Sequence, residues 1–158
     1  RSFSTLSTLD HGQKSSRKAA YINGFLNEFV GSFVLFFGAL ALTKNYFGVE
    51  LVGKLVQAGY DQTTAATRIS PYVTGSLAVA HLGIGFLVMT LVASLGGPTG
   101  PALNPARDLG PRIVHRLLPK QILGQAKEDS KWWYAWVPVL APIVASILAV
   151  ALFKLLYL

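Results

Sequence analysis

Asn104 and Arg107 stand in the stretch GPALNPARDLGPR, residues 100–112, and they are the side chains best suited to handling a polar solute. Asn-Pro at 104–105 reads as a helix start. The asparagine oxygen caps free N–H groups, and proline fits the first helical position, where its missing N–H would have had no partner. An asparagine used in this way keeps its NH₂ group as an outward donor. Arg107 adds a planar fork of donors that is always charged, and the helix start contributes free N–H groups and a partial positive charge at the same place. Such a set receives an oxygen acceptor; it neither attacks nor abstracts. The three scattered histidines bring no matching acids, and the chain has no cysteine. Enzyme chemistry, a metal site and a cofactor are therefore all expected to be absent.

The element that must carry these residues is short. From Asn104 the helical pattern runs through Asp108 in the first turn and Ile113, Val114, Leu117 and Leu118, to a stop at Pro119. That is about 14 residues, or roughly 21 Å, against a hydrocarbon core of about 30 Å. A half-helix is predicted. The preceding GGPTGPALNP is irregular, and irregular backbone at membrane depth is tolerated only where it is buried in protein or lines a watery cavity. A charge as close to a membrane span as Arg107 is costly without a function.

The rest of the chain supplies the membrane setting. Apolar residues make up 52% and charged residues only 13%, far from the balance of a soluble domain. The formal charge of +7 is scattered between apolar runs rather than gathered on one face, which argues against nucleic acid. The predicted class is an all-α membrane protein with three transmembrane helices and one re-entrant half-helix. A polar loop over 1–19, with no signal-peptide core, leads to spans at 20–44, 72–95 and 132–157. A connector lies at 45–71, and the re-entrant loop and half-helix occupy 96–119. The connector reads as a short interfacial helix or an ordered loop around Val49, Val52, Leu55 and Val56, with a stop at Ser70-Pro71. Gly24, Gly31 and Gly38, seven apart, and Ala141, Ala145 and Ala149, four apart, place small residues where neighbouring helices approach closely. The sequence does not begin with Met, and a longer parent chain is expected.

TGPALNPARDLGPR resembles the second Asn-Pro-Ala loop of the aquaporin and glycerol-facilitator family. Its Asn-Pro-Ala-Arg-Asp form is closer to the glycerol facilitators than to the water-selective members. FLNEFVGSFVLFFGALAL resembles the family's fourth helix, residues 73–95 the fifth, WVPVLAPIVASILA the sixth, and SFSTL the end of the loop before the fourth. The resemblance implies one inverted-repeat unit of a six-helix pore in the plasma membrane. Its partners would be the lipid bilayer, an N-terminal half of the same channel outside this chain, and further copies in a homotetramer.

By the same resemblance, Asn104, Pro105 and Ala106 form the mid-membrane motif, where Asn104 donates to a passing oxygen and the positive helix ends repel cations. Arg107 holds one wall of the narrowest ring, and Val92 and Pro101 hold two others. Val92 stands where water channels carry histidine, and Pro101 where facilitators often carry an aromatic. The ring implied is wide and asymmetric. Glu28, inside the first span, is implied to accept hydrogen bonds from the re-entrant loop. His81 is expected to be a packing or pore-mouth residue rather than a proton site. Most Lys and Arg residues fall on the side of the re-entrant loop, which the charge rule would place in the cytoplasm. The family places that side outside, and the resemblance is followed. The expected function is passive passage of small uncharged solutes such as glycerol, with water, excluding protons and ions. Alternatives are protonated lactic acid, urea or dihydroxyacetone, and a membrane scaffold that transports nothing.

Overall fold

The computed structural model describes residues 5–9, 16–44, 46–124 and 129–157. Parts of the loop expected over 1–19 and of the SFSTL block lie outside the described residues, as does the side chain of Val49. The described residues form helices joined by turns, with no strand: α1 Arg17–Thr43, α2 Tyr46–Gln57, α3 Gln62–Leu95, α4 Pro105–Leu117, α5 Lys120–Leu123 and α6 Val137–Tyr157. A 3₁₀ turn at Trp132–Tyr134 leads into α6. Three segments are long and apolar enough to cross a membrane: Arg17–Thr43, Gln62–Leu95 and Trp132–Tyr157.

The connector is more helical than the sequence suggests. Two devices turn it. Gly59, with φ +95°, closes α2: its N–H donates to Val56 O at 3.0 Å, and the Tyr60 N–H donates to Leu55 O at 3.1 Å. This double bond pattern needs a left-handed residue, which glycine supplies without a Cβ penalty. Asp61 then starts α3, its carboxylate accepting from the Thr64 N–H at 2.8 Å. A hydrogen bond from the Thr64 hydroxyl, 2.6 Å away, together with this backbone bond, holds the Asp61 carboxyl below the usual carboxylate range. Pro71 was expected to mark a boundary, yet α3 passes through it. The cap at Asp61 and the burial of Ala65 and Ile69, in the part of α3 that precedes Pro71, hold the chain helical despite the lost hydrogen bond. The helix is therefore 34 residues long, longer than the stretch 72–95 read as the span.

α1 packs most extensively on α6 and next on α3. Towards α6 it presents a ladder of Phe25, Phe29, Phe33 and Phe37, one per helical turn, with successive ring centroids 6.1–6.4 Å apart. The ladder ends on Phe153 of α6, 5.9 Å from Phe37, and begins on Trp136, 6.1 Å from Phe25. Ala141, Ala145 and Ala149 are fully buried on α6. The glycines of α1 serve other neighbours. A Cβ on Gly24 would collide with the Tyr134 ring, one on Gly31 would lie 2.9 Å from Leu95 Cδ1, and one on Gly38 would lie 2.7 Å from Leu87 Cδ2. Large apolar side chains such as Val79, Leu82, Met89, Ile147 and Leu155 remain exposed, the surface of a protein whose solvent is lipid.

Candidate pore segment

The loop between α3 and α4 cannot satisfy its own backbone, and α1 does it instead. Glu28 is fully buried. Its Oε1 accepts from the Ala102 N–H at 2.7 Å and its Oε2 from the Leu103 N–H at 2.8 Å. One carboxylate thus clamps two consecutive N–H groups, each of which would otherwise be a buried, unpaired donor. Asn27 Nδ2, one residue earlier, donates to Leu95 O at 3.1 Å and to Thr99 Oγ1 at 2.5 Å. Asn23, a turn below, donates to Ser7 Oγ at 3.0 Å. Thr5 Oγ1 donates to Gly100 O at 2.8 Å. This clamp holds a strained backbone: Gly100 has φ +63° and Leu103, not a glycine, has φ +54°, a left-handed conformation that costs a leucine roughly 1–2 kcal/mol. Gly96 is required at the end of α3, since a Cβ there would lie 2.6 Å from Val92 O.

α4 begins at the turn so formed. Asn104 Oδ1 accepts from Ala106 N at 2.9 Å and Arg107 N at 3.4 Å, which leaves its NH₂ without a partner among the described residues. Asn104, Ala106 and Arg107 are exposed, and Pro105 is half-buried. Arg107 Nη1 donates to Thr5 Oγ1 at 3.3 Å, so one arm of the fork is tethered. The helix is 13 residues long, about 20 Å at the usual rise.

Asp108 and Arg112, both fully buried, anchor α4 from behind. Arg112 Nη2 lies 2.8 Å from Asp108 Oδ2, and Nε donates to the same oxygen at 2.9 Å. The pair is further satisfied by backbone. The Thr5 N–H donates to Asp108 Oδ1 at 2.5 Å, while Arg112 donates to Ser130 O at 2.7 Å, Lys131 O at 3.0 Å and Thr5 O at 3.0 Å. A buried ion pair with every lone pair and proton engaged is the kind that persists. It ties α4 to the strip around Thr5 and to the entry of α6. His115 Nδ1 sits 2.9 Å from Ser130 Oγ.

The residues that the resemblance assigns to the ring separate by exposure. Val92 on α3 and Arg107 on α4 are exposed, whereas Pro101 is buried with Ala102 and Leu103. Glu28 draws residues 102 and 103 against α1, and Pro101 goes with them, although the sequence suggests a pore wall there. Arg112, Asn23, Asn27 and Thr5 are not singled out by sequence reasoning. The available signals were the four-residue spacing of Asp108 and Arg112 and two asparagines inside an apolar span, where polar groups are expensive.

Residues 44–153 match the family model described as major intrinsic protein. The chain is 58% identical to the glycerol facilitator-aquaporin gla of Lactococcus lactis subsp. lactis, over 99% of this chain and 57% of that protein. It is 39% identical to the glycerol uptake facilitator protein-like 5 of Lactiplantibacillus plantarum, over 97% of this chain and 47% of that one. Against the glycerol uptake facilitator protein of Bacillus subtilis it is 40% identical over 77% of this chain and 32% of that protein. The chain thus spans about half the length of the Lactococcus lactis and Lactiplantibacillus plantarum proteins. No solved structure matches it significantly.

Proposed function

The chain belongs to the major intrinsic protein family, a family of multi-pass membrane channels, and we propose on that premise that it is the C-terminal half of a passive channel for glycerol and water. The observation that carries this reading is the exposed face of the α4 start: a capped half-helix, too short to span, with the free Asn104 NH₂ and most of the Arg107 fork turned outward and a rigid polar scaffold behind them. A second half-helix would have to complete the crossing. We assign it to an N-terminal half outside this chain, in an assembly of four such channels.

Passage then follows from electrostatics. A solute oxygen reaching the α4 start meets donors only, the Asn104 NH₂ and, further along, the Arg107 guanidinium. It must accept at both, so neighbouring waters cannot hand a proton past it. The partial positive charge of the helix start, roughly half an elementary charge, together with the full charge of Arg107, opposes cations. Val92 gives the ring an apolar wall against which the carbon backbone of a polyol slides. Pro101 acts through the turn it stiffens, which sets how far the loop stands from that wall. Glu28 keeps the loop in shape. Transport, rather than the making or breaking of bonds, is the role these residues fit.

The relatives' names, glycerol facilitator-aquaporin and glycerol uptake facilitator, favour glycerol over lactic acid, urea or dihydroxyacetone. The test is light-scattering flux in proteoliposomes of the full-length channel. Glycerol and water should both equilibrate far faster than in empty vesicles, with no proton leak. Arg107→Val should keep glycerol flux and raise leakage of larger or charged solutes. A channel that passes water but no glycerol would sink the glycerol assignment.

A further inference from the structure

Around its axis, α3 shows three different faces at the 3.6-residue period. Ala80 and Leu91 are buried towards the rest of the fold, and Leu87 beside them packs on Gly38 of α1. A second face exposes Val79, Leu82, Phe86 and Met89, bulky apolar side chains that suit lipid. The third face is also exposed, yet it carries Thr74, His81, Gly85 and Val92, and nothing lies within 4 Å of where a Gly85 Cβ would be. His81 and Val92 are eleven positions apart, about three turns, so they share a direction and stand about 16 Å apart along the helix. His81 Nδ1 lies 2.6 Å from Leu77 O. A carbonyl can only accept, so Nδ1 carries the proton, and the neutral ring is left with the Nε2 lone pair as an outward acceptor. Facing hydrocarbon, that lone pair would go unsatisfied.

We propose that His81 is a second polar contact of the pore: its Nε2 accepts a hydrogen bond from a hydroxyl of the passing solute, three turns along α3 from Val92 and away from the re-entrant loop. It complements Asn104 and Arg107, which only donate, so a polyol presents its oxygen lone pair at one station and its O–H at the other. The proposal rests on the channel reading above and adds to it a contact specific to hydroxyl-bearing solutes.

Two measurements on the reconstituted full-length channel test it. In the first, His81→Cys and Leu82→Cys are compared after treatment with a positively charged methanethiosulfonate, which reacts only with thiols in contact with water. Modification at position 81 should slow glycerol flux several-fold, whereas position 82, on the lipid-facing side, should stay unreacted with flux unchanged. In the second, His81→Leu should lower glycerol flux about five-fold, the scale of one lost hydrogen bond. His81→Gln, which restores an acceptor, should recover most of it. An inert thiol at 81, or a modified one that leaves flux unchanged, overturns the proposal, as does a His81→Leu channel indistinguishable from the parent. Water flux is read in the same vesicles. A parent channel that passes water and no glycerol refutes the glycerol reading, and the exposure of position 81 is then judged on water flux.

Discussion

α1 makes two interfaces of opposite character. Against α6 it is largely apolar between its ends: a phenylalanine ladder on one side and fully buried alanines on the other. Against the re-entrant loop it is polar, with Asn23, Asn27 and Glu28 reaching Ser7, Leu95, Thr99, Ala102 and Leu103. α6 is a helix that satisfies its own backbone, so close packing suffices to hold it. The loop leaves backbone groups open, and in lipid nothing except protein can satisfy them. Polar residues on a membrane helix therefore mark where a neighbour is irregular, and in this chain the irregular neighbour carries the donors proposed to meet the solute.

If that contrast holds, damage on the polar side should cost both stability and flux, while damage on the apolar side should cost stability alone. The largest effect is expected at the base of α4. Arg112→Met strands the buried Asp108 carboxylate and should destabilise the folded channel by about 3–5 kcal/mol, read as a lowered Tm in detergent together with lost glycerol flux. Glu28→Leu comes next. It orphans two N–H groups at about 1–3 kcal/mol each, and glycerol flux should fall more than stability does, because Leu103 is freed from its strained turn. Glu28→Gln keeps one acceptor and should sit between. On the apolar side, Ala145→Leu overpacks a fully buried position at about 1–3 kcal/mol, with the selectivity of the surviving channels unaltered. Phe29→Leu conserves most of the volume and should cost about 1 kcal/mol, with no change in flux. A solute preference shifted by Ala145→Leu, or a flux untouched by Glu28→Leu, would break the division.

The same contrast explains how much was legible in advance. The three spans, the half-helix from Asn104, its cap and the family follow from local rules: length of apolar run, helix-start chemistry and motif. A short helix does lie around Val52, Leu55 and Val56, but Ser70-Pro71 does not end a segment: it is a local stop signal, and burial of Ala65 and Ile69, which no window of sequence reveals, overrode it. Asn23 and Asn27 are visible as polar residues in an apolar span, but their partners lie 68–75 positions away or across the Ser7 strip. Arg112 reaches Thr5 over 107 positions.

By itself, then, the sequence determined which segments enter the membrane, where the short helix starts and which donors stand at its beginning, because periodicity, capping and hydropathy act over a few residues. Only the tertiary structure decided that Pro101 turns inward while Val92 faces out, and that Asp108 and Arg112 form one buried anchor. Those outcomes depend on which distant backbone groups need a partner, and that need arises only when the loop is folded against α1.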